Sequence, residues 1–123
     1  MIVLIVEDDP FISLSLEDIV AEHAEGEIIA VSSRADAFAT MSGDVDLAIL
    51  DIDVTNGKTF HVAAELKAMG IPFIFVSASD KSQVPEELRH APFIPKPFNE
   101  GDIKRQLVRA VADKAVVVEK PVG

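Results

Sequence analysis

Residues 47–57 read LAILDIDVTNG. Four apolar residues run into Asp51, Asp53 follows two positions later, and Val54, Thr55, Asn56 and Gly57 come next. A strand with one wet face alternates apolar and polar residues, so an unbroken apolar run reads as a strand buried on both faces. Aspartates delivered at the end of such a strand suit two chemistries. In one, Asp51 attacks phosphate and Asp53 is the general acid of a phosphatase. In the other, a single Asp receives a phosphoryl group and keeps it for a while.

Working outward, the same grammar recurs. Ile2–Val6 (IVLIV) is another doubly buried strand, with Asp9 as N-cap and Pro10 in the first turn of a helix carrying Ile12, Leu16, Ile19, Val20 and His23 at helical spacing. Residues 28–31 read as a weaker strand before a short helix over 35–41. The strand at 46–50 leads to a helix over 59–69, with Val62, Leu66 and Met69 inward and Gly70 as its stop. Residues 71–76 (IPFIFV) form the next strand, and Phe93 and Ile94 a short fifth. Asn99 caps a last helix that turns Ile103, Leu107, Val108 and Val111 inward. Alternating β and α units with short connections predict an α/β fold: a flavodoxin-like, doubly wound (βα)5 domain with a parallel five-stranded sheet in the order 2-1-3-4-5. Its weak element is SASDKSQVPEELRHAP, where Pro85 and Pro92 leave room for only about two helical turns. The domain is expected over residues 1–114, with 115–123 as a tail that extends the last helix briefly and frays.

Composition narrows the function. The chain has 123 residues, 49% of them hydrophobic, which suits one domain with a proper core. No cysteine is present, which excludes disulfides and thiolate metal sites and fits a cytoplasmic location. Neither a signal peptide nor a membrane-length apolar run is visible. The formal charge of −10 argues against nucleic acid as a partner.

In open α/β sheets, ligands bind beyond the carboxyl ends of the strands. The first strand delivers Glu7, Asp8 and Asp9, the third Asp51 and Asp53, the fourth Ser77 and Ser79, and the fifth Lys96-Pro97. Clustered carboxylates raise each other's pKa unless a cation sits among them, and a hard divalent ion such as Mg²⁺ (or Mn²⁺) suits an all-oxygen set. Such an ion would neutralise an incoming phosphoryl group so that an Asp carboxylate can attack it, with a lysine and a hydroxyl holding the remaining oxygens.

In this order IVEDD, LAILDID, VSAS and IPKPF resemble the receiver domain of bacterial two-component response regulators, over about residues 1–113. The resemblance implies that Asp51 accepts phosphate from a sensor histidine kinase or histidine phosphotransfer protein. It implies Asp8 and Asp51 as metal ligands, Glu7 through water, and the backbone carbonyl of Asp53. Ser77 and Lys96, the latter across a cis bond to Pro97, would hold the phosphoryl group, and Ser77 and Phe93 would switch together. The output is then a downstream protein target, with no DNA-binding domain in this chain, and the protein is expected to be a monomer or weak dimer and not an enzyme in the turnover sense. The loop after Asp51 lacks the proline and Met-Asp-Gly pattern common in receivers, and the degraded fourth helix weakens the family's usual dimerisation surface.

Plainer roles suit several residues. Asp9 reads as a cap, the Asp53 side chain as solvated, Thr55 and Asn56 as turn formers, and His23, His61 and His90 as boundary residues without ligand spacing. Ser79, two positions beyond Ser77, is a candidate for facing the water that hydrolyses a phosphoaspartate. Among rivals, a haloacid-dehalogenase-type phosphatase would use Asp51 and Asp53, but its motif opens the first strand and its further acids follow the lysine. A flavin carrier would need Ser, Thr and Gly donors where Glu7, Asp8 and Asp9 stand. An unphosphorylated pseudo-receiver would not need Asp8, Asp51, Ser77 and Lys96 together.

Overall fold

The structure, a computed structural model, describes residues 1–119. The chain runs β1 (Ile2–Val6), α1 (Pro10–His23), β2 (Glu27–Val31), α2 (Arg34–Thr40), β3 (Leu47–Leu50), β4 (Asp53–Val54), β5 (Gly57–Lys58), α3 (Phe60–Ala68), β6 (Phe73–Ser77), β7 (Phe93–Pro95) and α4 (Glu100–Glu119). Five strands form one parallel sheet in the order β2-β1-β3-β6-β7. Once the hairpin of β4 and β5 is set aside, this is the expected order. No helix among the described residues is long and apolar enough to cross a membrane.

Side chains alternate across each strand, so one run of apolar residues feeds two cores. Leu4, Val6, Ala48, Leu50, Phe73 and Phe75 face the layer of α2 and α3, where Ala37, Val62, Ala63 and Leu66 meet them. Val3, Ile5, Leu47, Ile49, Ile74 and Val76 face the other layer, against Leu16, Ile19 and Val20 of α1 and Ile103, Leu107 and Ala110 of α4. Burial on both faces explains the unbroken runs. It also leaves the strand ends as the place where polar groups can collect.

The caps act as expected. Asp9 accepts from the amides of Phe11 and Ile12, and Asn99 from the amide of Asp102. The weak segment between β6 and β7 makes no α-helix; it forms two single 3₁₀ turns, Lys81–Gln83 and Glu86–Leu88, separated by Pro85. Three inward assignments fail. Val108 and Val111 are exposed because α4 turns the stripe Ile103, Leu107, Ala110 inward, and at about 100° per residue Val108 lies well round the helix from it. Met69 is exposed because α3 ends at Ala68 and Met69 is its cap, just before Gly70 turns the chain at φ 73°. The last helix continues to Glu119, and the expected fraying beyond it falls on residues 120–123, outside the described ones.

The hairpin was not expected. β4 and β5 pair antiparallel, Asp53 with Lys58 and Val54 with Gly57, around Thr55 and Asn56. Those two residues do form the turn, and Asn56 adopts φ 75°, a left-handed conformation that Asn tolerates better than most residues.

Candidate functional site

Glu7, Asp8, Asp51, Ser77 and Lys96 lie at the carboxyl ends of β1, β3, β6 and β7. Main-chain bonds between neighbouring strand ends fix this convergence: Asp51 N donates to Val6 O at 2.9 Å, and Lys96 N to Ser77 O at 3.0 Å. A cis peptide joins Lys96 to Pro97, as expected. The Asp51 carbonyl accepts from Thr59 Oγ1 at 2.6 Å, and its carboxylate Oδ1 accepts from Ile52 N at 2.7 Å.

Glu7, Ser77 and Asp51 are buried, whereas Asp8 is exposed. One carboxylate oxygen from each of Glu7, Asp8 and Asp51 lies within 4.8 Å of the others. Lys96 reaches into this group, donating to Glu7 Oε1 at 2.5 Å and to Asp51 Oδ2 at 3.1 Å. Three carboxylates thus face one ammonium.

The electrostatics follow from that imbalance. Burial pushes the Glu7 carboxyl above its ordinary range; the hydrogen bonds from Lys96 and the Asp9 amide pull the other way, and the nearby Asp51 charge adds to the rise. Burial works against the charged form of Lys96 too, but its bonds to Glu7 and Asp51 prevail and hold its pKa above the usual value. A buried acid that resists ionisation beside two others is a donor set short of positive charge. Carboxylate oxygens with a wet side at Asp8 are the chemistry that a hard divalent cation takes, so the residues fit Mg²⁺.

Asp53 points elsewhere. Its carboxylate is exposed, as expected, but it is held: Oδ1 accepts from Lys58 Nζ at 2.5 Å and Oδ2 from Ser79 Oγ at 2.6 Å. Those hydrogen bonds, Lys58 first, hold its pKa below the ordinary aspartate value. Ser79 therefore donates its hydroxyl to Asp53, and its amide donates to Ser77 Oγ at 3.1 Å. Phe93 is half-buried at the start of β7, in register with Phe75 and against the α2–α3 core.

Two residues escaped the sequence reading. Thr59 is fully buried and bonds the Asp51 carbonyl instead of capping α3, although a threonine just before a helix suggests a cap. Lys58 meets Asp53 only through the hairpin register, for which Asn56-Gly57 was the available signal. The histidines stay apart from the site: His61 Nδ1 bonds Arg34, His90 stacks edge-on to Phe73, and His23 lies near Glu100.

Comparison with solved structures gives the same fold repeatedly. The response regulatory domain of protein mrkE from Klebsiella pneumoniae superposes with a TM-score of 0.81 at 23% identity, covering 92% of this chain and 97% of that one. The non-phosphorylated HemR receiver domain from Leptospira biflexa gives 0.77 at 22% identity, over 99% of this chain and 98% of that one. A CheY-like receiver domain from Methylobacillus flagellatus gives 0.75 at 20% identity, over 89% and 98%. No curated protein matches the sequence. A sequence model of the response regulator receiver domain matches residues 3–108. With that match over most of its length and these strand ends around Asp51, the chain belongs to the response regulator receiver domain family, the phosphoacceptors of two-component signalling.

Proposed function

We propose that this protein is a phosphoryl-accepting switch in which Asp51 takes a phosphoryl group from the phosphohistidine of a sensor kinase or histidine phosphotransfer protein. The observation that carries the reading is the buried Asp51 carboxylate, clustered with Glu7 and Asp8 and 3.1 Å from the Lys96 ammonium. An Asp51 oxygen attacks phosphorus, the phosphorus–nitrogen bond breaks, and its electron pair leaves with the imidazole. Lys96 stays beside the transferred group, and Ser77, whose Oγ accepts from the Ser79 amide, keeps its own proton to donate to a phosphoryl oxygen. Thr59 fixes the main chain of the acceptor from below. Mg²⁺ (or Mn²⁺) would be held by Asp8, Asp51 and the Asp53 carbonyl, with Glu7 through water. The bound ion supplies charge neutralisation for the phosphoryl oxygens.

Phosphorylation then draws Ser77 toward the new group and lets Phe93 turn inward, changing a surface that a protein target reads. The Asp53 carboxylate has no covalent or acid–base part, because Lys58 and Ser79 occupy it.

The test is incubation with acetyl phosphate and Mg²⁺ followed by intact-mass measurement. One phosphoryl group per chain is expected, with none on Asp51→Asn and none with chelator. Repeated turnover of p-nitrophenyl phosphate would instead support a phosphatase. Failure of the unaltered chain to take phosphate, or to shift the Ser77 and Phe93 resonances with beryllium fluoride, would support an unphosphorylated interaction module.

A further inference from the structure

Beyond Leu50 the sheet stops holding the chain. Asp51 N still donates to Val6 O at 2.9 Å, but the next peptide unit, the Asp51 carbonyl with the Ile52 amide, lies outside every strand. One residue holds it instead. Thr59 Oγ1 donates to the Asp51 carbonyl at 2.6 Å, and Thr59 N donates to the Ile52 carbonyl at 2.9 Å. Two successive carbonyls thus end on a single threonine at the far side of the hairpin.

A trans peptide is planar, so its carbonyl and its amide point in opposite directions and turn together. Fixing the Asp51 carbonyl therefore aims the Ile52 N–H, and that N–H donates to Asp51 Oδ1 at 2.7 Å. With Oδ1 taken, the other oxygen, Oδ2, faces Lys96 Nζ at 3.1 Å. The bonds run from hydroxyl to carbonyl, through the peptide plane to the amide, and from the amide to the carboxylate. Thr59, Ile52 and Asp51 are all buried, so water does not compete for these groups. The hydroxyl also forgoes another use. Thr59 stands immediately before α3, where a threonine ordinarily stabilises the helix through a side-chain cap, and it makes no such bond.

We propose that Thr59 is a positioning residue for phosphoryl transfer: through the peptide unit between Asp51 and Ile52 it sets the rotation of the acceptor carboxylate, so that Oδ2 meets phosphorus. The inference rests on the reading of Asp51 as phosphoacceptor and adds what aims its carboxylate. With acetyl phosphate as donor, an electron pair on Asp51 Oδ2 attacks phosphorus and the bond from phosphorus to the acetyl oxygen breaks. Acetate leaves with that bond's electron pair. A carboxylate free to rotate spends part of its time with the attacking oxygen turned away, and the rate of attack falls accordingly.

The experiment mixes the full chain with acetyl phosphate and Mg²⁺ and follows phosphoryl uptake by intact mass. Thr59→Val keeps the shape and removes the donor, and its uptake rate constant is expected to fall about three- to tenfold, the factor a single hydrogen bond commands. Thr59→Ala serves the same purpose where Thr59→Val does not fold. Thr59→Ser keeps the hydroxyl and should return the rate constant to within about twofold. A second readout needs no phosphate. As pH is varied in chelator, the Ile52 amide proton resonance of the unaltered chain and of Thr59→Ser should move with the ionisation of Asp51. That movement should be absent from Asp51→Asn and reduced when the hydroxyl is removed. An unchanged uptake rate without the hydroxyl would overturn the proposal. So would a Thr59→Ser variant as slow as Thr59→Val, which would leave packing as the only role, and so would an Ile52 amide that ignores Asp51 in the unaltered chain. Each of these results sinks this inference alone, whereas no uptake by the unaltered chain would sink the phosphoacceptor reading with it.

Discussion

At the scale of single residues, Glu7 is the informative one. It is 3% exposed, shares one lysine with Asp51, and its carboxyl is pushed up chiefly by burial. A group whose pKa is raised on folding binds its proton more tightly in the folded state. The protein therefore loses stability as pH climbs from the ordinary glutamate range through the raised value of Glu7. Glu7→Gln should accordingly stabilise the metal-free protein at neutral pH, because it removes the cost of holding a buried carboxylate there. The gain should shrink as pH falls toward the ordinary glutamate range, where the wild-type carboxyl takes up its proton; Lys96 keeps Asp51 as partner in both. Urea melts in chelator between pH 5 and 8 check this, and a gain that does not vary with pH would place its origin elsewhere. The acids, Ser77 and Lys96 were legible in the sequence because each follows an apolar run directly, so strand ends alone place them. Thr59, and the pairing of Lys58 with Ser79 around Asp53, depend on how a loop folds back, which residue type and order do not state.

At the scale of elements, the legible ones are those with a strong period or an unbroken run. β1, β3 and β6 are buried on both sides, and caps such as Asp9 and Asn99 announce themselves by type and place. The inward face of α4 was read too broadly, because Val108 and Val111 are apolar yet fall off the stripe that Ile103, Leu107 and Ala110 share. Removing one member of that stripe should be costly: Leu107→Ala leaves a fully buried cavity and is expected to destabilise by about 2–5 kcal/mol. Val108→Ala on the same helix should cost well under 1 kcal/mol by the same denaturant measurement. The hairpin turn offers a second test. Asn56 sits at φ 75°, so Asn56→Gly should be nearly neutral, while the β-branched Asn56→Val should cost about 1–3 kcal/mol.

At the scale of the molecule, 21 acids against 11 bases leave a net charge of −10, and three of the acids meet at one rim. A divalent cation that binds there only in the folded state must raise the whole protein's stability. At a concentration of about a hundred times its dissociation constant, that rise is about 2.7 kcal/mol. Thermal melts with MgCl₂ should show it beyond the effect of NaCl at equal ionic strength, and Asp8→Asn should remove most of the difference. A shift no larger than that of NaCl would mean that the carboxylates repel one another without taking an ion.

The two 3₁₀ turns between β6 and β7 carry a consequence for how the molecule opens. Amides there hold isolated bonds, such as Val84 N to Lys81 O and Leu88 N to Pro85 O, with no ladder behind them. Buried Val84 and Leu88 pin the segment by their side chains, and Lys67 Nζ donates to the Glu87 carbonyl, a bond that protects no amide of the segment. Its backbone should therefore take up deuterium by small local openings long before β1 and β3 do, whose amides await global unfolding. A protease offered the native protein should find its first cut in the same place, on the flank of the sheet farthest from β2.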